Sequence, residues 1–177
     1  MITTTHIPPW PRSHPIPLSR GRAIPGFGLL ALAAGMTTAT LLGPLGFGVV
    51  SFAVSESAET QLIGGELATI FLAIPLATVA GVLWLRGARL APVLACGPGI
   101  YATYMYAQYA LAPDFTRYDG NSARAFPLYL LLVLGGWLIA SHSWVTIARL
   151  GLPDPAARLG TITGVILMVL NLLFAFA

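Results

Sequence analysis

Five long apolar runs constrain this chain more than any other feature. They span roughly Ala23 to Phe52, Leu67 to Leu85, Leu90 to Leu111, Pro127 to Ile147 and Thr161 to Ala177. In hydrocarbon every backbone N–H and C=O must find its partner within the segment, so such runs are helices, at about 20 residues per crossing. Only 8% of the 177 residues are charged, against about 25% in an ordinary soluble domain. Nine arginines and six acids, clustered between the apolar runs, cannot clothe a water-soluble globule of this size. The fold class expected is all-α, a polytopic transmembrane helical bundle of about five helices. Their places are about 24–42, 67–85, 90–111, 127–147 and 161–177, behind a tail of residues 1–23.

The tail carries Pro8, Pro9, Pro11, Pro15 and Pro17 among Arg12, Arg20 and Arg22. It lacks the continuous apolar stretch of a secretory signal and reads as polyproline-like. The first run is too long for one crossing, and Gly43, Pro44, Gly46 and Gly48 weaken a helix in its second half. A crossing that ends near Leu42 is therefore expected, with residues 43–66 as an outer loop, a re-entrant segment or a continuation of the helix. The fifth run stops while still apolar, which fits either a helix flush with the far interface or a chain whose natural sequence continues.

Arginines retained in cytoplasmic loops set orientation during insertion. Arg12, Arg20, Arg22, Arg86, Arg89, Arg149 and Arg158 fall on one side of the alternating path, and only Arg117 and Arg124 on the other. This predicts that the N-terminus lies in the cytoplasm. Glu56, Glu59, Glu66, Asp114 and Asp119 then lie outside. Nothing resembles a basic nucleic-acid-binding face.

Gly97, Tyr101, Tyr104 and Gln108 recur at spacings of four, three and four, which puts them on one helical stripe. Tyr101 lies about 16 Å from the cytoplasmic end of its helix at 1.5 Å per residue, near the bilayer midplane. A phenol facing lipid there leaves its hydroxyl unpaired, so the stripe should face other helices or a hydrated cavity. Tyr106 and Tyr109 fit an interfacial aromatic belt. Glu66, read as opening the second helix, gains from the macrodipole in headgroup water or joins Gln108 and Tyr109 in a small polar site.

His142 stands between Ser141 and Ser143, level with Cys96. Two ligands at one level fall short of the three or four that zinc requires, so no metal is expected. Cys96 is the only cysteine, which excludes an intramolecular disulfide. Gly135 and Gly136, like Gly28, Ala31 and Gly35, permit close helix approach. Asp119, Gly120 and Asn121 supply turn chemistry to the loop from Ala112 to Phe126. No nucleophile with an evident base occurs, and no GxSxG, HExxH or Walker pattern. No catalytic or cofactor-binding residue is assigned, and no cofactor is expected.

GGELATIFLAIPLATVAGVLWLRG at Gly64 to Gly87, followed by YATYMYAQYAL at Tyr101 to Leu111, resembles an uncharacterised group of bacterial multi-pass membrane proteins of about five to eight helices. Glu66, Pro75, and Tyr101, Tyr104, Tyr106 and Tyr109 match its acidic residue at the start of helix two, its proline within that helix and its Tyr-rich third helix. The resemblance covers roughly residues 26–147 and implies no activity. It also implies a longer protein with a second helical half, from which this chain departs by ending at Ala177.

Three functions follow as expectations. The first is a non-enzymatic accessory or assembly subunit of a larger membrane complex, whose partners are membrane lipids and other membrane proteins or a second copy. The alternative is a small-molecule transporter or membrane-embedded binding protein, with ligand-binding candidates Glu66, Tyr101, Tyr104, Gln108 and His142. The third is an enzyme acting on lipid or quinone, with His142 or Glu66 as general base.

Overall fold

A computed structural model describes residues 20–150, and among them every regular element is helical. Helix α1 is Arg20–Leu42, α2 is Glu56–Ala68 and α3 is Ile74–Leu85, with a π-helical turn, Thr69–Ala73, joining α2 to α3. Helix α4 is Ala91–Leu111, and α5 is Phe126–Arg149, entered through a 3-10 turn, Ser122–Ala125. Among the described residues three stretches are long and apolar enough to cross a membrane: Gly21–Leu42, Glu56–Leu85 and Ser122–Arg149. The fifth helix expected at 161–177 and most of the 1–23 tail lie outside the described residues. Residues 20–23 of that tail form the first turn of α1.

Helix α1 stops at Leu42 because Gly43 and Pro44 begin a tight closing loop. There the N–H groups of Phe47 and Val50 satisfy the terminal carbonyls of Leu41 and Leu42, at 2.7 and 2.8 Å. Gly48 supports this turn with φ +62°, a conformation open to glycine at little cost. The next helix opens at Glu56 rather than Leu67. Ser55 caps it by accepting the Ala58 N–H at 3.3 Å, and Glu56 and Glu59 occupy the positive end of its dipole. Much of the segment 43–66 is therefore helix, and Glu66 sits well inside it.

Pro75 explains the π turn. A proline within an α-helix removes one N–H and drives its ring against the carbonyl four residues back. The wider turn immediately before it, closed by the Ile74 N–H on the Thr69 carbonyl, absorbs that conflict while the rod continues. At the other end of α3, Ala88 donates to Leu83 at 2.9 Å and Gly87 to Trp84 at 2.9 Å. With Gly87 at φ +73°, this is a Schellman cap, and it reverses the chain into α4.

Helix α4 packs on α3 and α5, and α1 packs on the same two helices. Helix α4, at 21 residues, is not among the three stretches apolar enough to cross a membrane. It carries tyrosines, glycines and prolines in place of large aliphatics. Gly99 and Gly136 bring α4 and α5 together: a Cβ on Gly136 would lie 2.7 Å from the Gly99 carbonyl oxygen. Gly26 and Gly81 do the same for α1 and α3, where a Cβ on Gly81 would stand 3.1 Å from the Gly26 oxygen. Gly28 and Gly35 face Ile139 and Leu132 of α5.

The end of the molecule that carries the 43–55 loop is closed by contacts between loops. Asn121 accepts the Ser51 N–H at 2.8 Å and donates to the Val49 carbonyl at 2.9 Å, and Asp114 N–H reaches the Ala53 carbonyl at 2.7 Å. Phe52 is thereby pressed onto Tyr109, with centroids 4.9 Å apart, and onto Tyr129 at 6.4 Å. Tyr106, Tyr109, Tyr129 and Phe52 form one aromatic core.

Candidate functional site

The polar stripe of α4 divides between two environments. The Tyr101 hydroxyl donates to the Gly65 carbonyl at 2.7 Å and lies 2.8 Å from Thr69 Oγ1. Thr69 Oγ1 is also 2.9 Å from the Gly65 carbonyl. Because each hydroxyl has one proton, Tyr101 supplies Gly65 while Thr69 supplies either Tyr101 or Gly65. Two turns further along α4, Tyr109 donates to the Leu62 carbonyl at 3.3 Å. These bonds rivet α4 to α2 beside the π turn. Met105 fills the space between them against Gly65, where a Cβ would overlap its Cε.

Tyr104 and Gln108 lie on the outer side of the same helix. Gln108 Nε2 donates to the Tyr104 hydroxyl at 2.9 Å, and both are exposed. They line an open groove of about 690 Å³ together with Gln61, Leu62 and Gly65 of α2 and Val54 of the preceding loop. Tyr101 and Glu66 are not among its lining residues.

Glu66 is 1% exposed and points toward the closing loop after α1. Its Oε2 accepts the Leu45 N–H at 3.3 Å. Its Oε1 packs against Gly43, where a Cβ would overlap it, and has no hydrogen-bond partner among the described residues. The acid read from sequence as a helix start in headgroup water is thus a core residue.

His142 stands at the opposite end of the molecule. Its ring faces Trp84 with centroids 5.6 Å apart, and it borders a cavity of about 270 Å³. Cys96 borders a separate depression with Ser141 and Val145, so the two are not brought into one site. Among the described residues no three His, Cys, Asp or Glu side chains cluster as metal ligands would. Of the five ligand-binding candidates, Tyr104 and Gln108 share the groove, Tyr101 is half-buried and bonded to α2, Glu66 is buried, and His142 is distant from all four.

Sequence reasoning missed the side chains that converge beside His142: Arg22 of α1, Arg89 before α4 and Arg149 of α5. The bias of arginines to one side of the chain was the available signal, and their convergence depended on tertiary packing. Compared with protein-family models, curated proteins and solved structures, the chain matches none.

Proposed function

We propose that the protein is a non-enzymatic component of a bacterial inner membrane, an accessory or assembly subunit that packs against other membrane proteins or a second copy of itself. It crosses the bilayer about five times as a helical bundle, with its N-terminus in the cytoplasm. The arginine distribution supports the orientation, and the apolar stretches support the crossings.

One observation carries the reading: the Tyr101 hydroxyl of the stripe, together with Thr69 and Tyr109, is engaged in joining helices. Tyr101, Thr69 and Tyr109 form hydrogen bonds with the α2 backbone or with each other, which leaves little for a substrate. By contrast, Phe71 and Leu72 of the π turn are 77% and 63% exposed, and the groove between α2 and α4 is open. Helix association in lipid relies on such complementary surfaces rather than on hydrophobic transfer. Photo-crosslinking from position 72 in native membranes, followed by mild solubilisation, should yield a discrete higher-mass product. A purified, monodisperse monomer that is active by itself would refute the reading.

The groove also favours a second reading, a small-molecule transporter or binder. Its volume lies within the range of ligand pockets, and Gln61, Tyr104 and Gln108 are polar groups at its wall. Loss of a transported or bound solute on Gln108→Ala, with stability unchanged, would select this reading over the first.

A further inference from the structure

We propose that the cavity between Arg22, Arg89 and Arg149 holds the phosphate group of an anionic membrane lipid. Three separate parts of the chain place these arginines around one cavity of about 270 Å³. A guanidinium offers up to five N–H donors in a planar fork that matches phosphate oxygens, so three around one space form a concentrated oxyanion receptor.

Arg22 is held most firmly. Its guanidinium packs on Gly87, where a Cβ would overlap Nη1, and Gly87 is held at φ +73° by the cap after α3. Its Nη2 is buried and has no hydrogen-bond partner among the described residues. A buried donor without an acceptor is unfavourable, and because Arg22 lines the cavity, a small shift of its guanidinium toward a bound oxyanion removes that defect.

The chain offers little to neutralise these charges. Among the described residues the only ion pair is Arg117 with Asp114, and neither residue borders this cavity. Beyond Arg149 the sequence supplies a single acid, Asp154, too few for seven arginines on this side. A lipid fits better than a free phosphate because the apolar side chains of Trp84, Ala88, Pro92 and Leu150 line the same cavity as the arginines. A headgroup among the arginines leaves acyl chains to cover these surfaces. The Trp84 and His142 rings form one wall, placing an amphipathic aromatic at the level where headgroup meets hydrocarbon.

The test uses the full chain in mild detergent, titrated with phosphatidylglycerol or phosphatidylcholine and read as retained lipid by native mass spectrometry. Wild type should retain phosphatidylglycerol at least tenfold better. Each Arg→Gln change should weaken it about fivefold, and R22Q/R89Q/R149Q together about 100-fold. R117Q/R124Q should bind as wild type, and 10 mM inorganic phosphate should leave the lipid in place. If the triple variant loses its helical circular dichroism, the exposed R89Q alone decides by its fivefold loss.

Equal retention of the two lipids by wild type would overturn the proposal, as would selectivity surviving in the arginine variants. Displacement by millimolar phosphate would assign the site to the free ion and refute the lipid. D154N binding phosphatidylglycerol more than tenfold better than wild type would show that the chain supplies its own counter-ion, which also refutes it.

Discussion

Replacing Tyr101 by phenylalanine separates a riveted helix pair from a ligand pocket. The substitution keeps the ring and deletes one oxygen, 2.7 Å from the Gly65 carbonyl and 2.8 Å from Thr69 Oγ1. The Gly65 carbonyl is not orphaned, since Thr69 Oγ1 remains 2.9 Å away. The loss is therefore one interhelical hydrogen bond plus a weakened contact, without the penalty of an unsatisfied buried group. Side-chain bonds between membrane helices average about 0.6 kcal/mol, with a maximum of about 1.7, so Tyr101→Phe should cost about 1 kcal/mol. That is roughly a fivefold shift in the unfolding equilibrium. Reversible unfolding in bicelles measures it, and a double-mutant cycle with Thr69→Val should return a coupling of about 0.5 kcal/mol or more. Tyr104→Phe on the same helix breaks only an exposed contact with Gln108 and should cost less than about 0.5 kcal/mol. If Tyr101→Phe proves as mild as Tyr104→Phe and additive with Thr69→Val, the hydroxyl does not join the helices. The reasoning behind the proposed role then fails.

Three further perturbations probe the elements that hold this arrangement. Gly136→Ala sets a methyl 2.7 Å from the Gly99 oxygen and 2.9 Å from the Thr103 N, so α4 and α5 must separate. A loss of about 1–3 kcal/mol is expected in the same bicelle assay, and an unchanged midpoint would refute the close crossing. Asn121→Ala removes both side-chain bonds to the 49–51 backbone. Limited proteolysis should then cut the 43–55 loop several times faster, whereas wild-type rates would deny the clamp. Ser55→Ala deletes the cap on Ala58 N–H and should cost about 1 kcal/mol. Hydrogen exchange in the first turn after Ser55 should rise accordingly, and protection equal to wild type would place the helix start elsewhere.

The helical class was legible because apolar length is a solvent argument, independent of tertiary packing. The turn after Leu42 was legible from Gly43 and Pro44, whose backbone limits act locally. The start of α2 was not read because attention to apolar runs passes over a polar helix, although Ser55, Glu56 and Glu59 are a recognisable N-terminal signature. That one displacement decided the fate of Glu66. A helix opened at Leu67 leaves the carboxylate in headgroup water, while one opened at Ser55 carries it into the third turn and turns it toward the closing loop. The stripe of Tyr101, Tyr104 and Gln108 was legible as a face, since helical spacing is intrinsic to the chain. Its partners were not, because Tyr101 binds a backbone carbonyl, an acceptor that every residue carries and no side-chain pattern announces. Arg22, Arg89 and Arg149 follow the same division. Sidedness is a property of the threading, but convergence needs α1, α4 and α5 packed together, with Gly87 reversing the chain beneath Arg22. The polar groups that hold helices together lie near those that face outward along α4, so a one-turn error in register exchanges a structural residue for an apparent ligand.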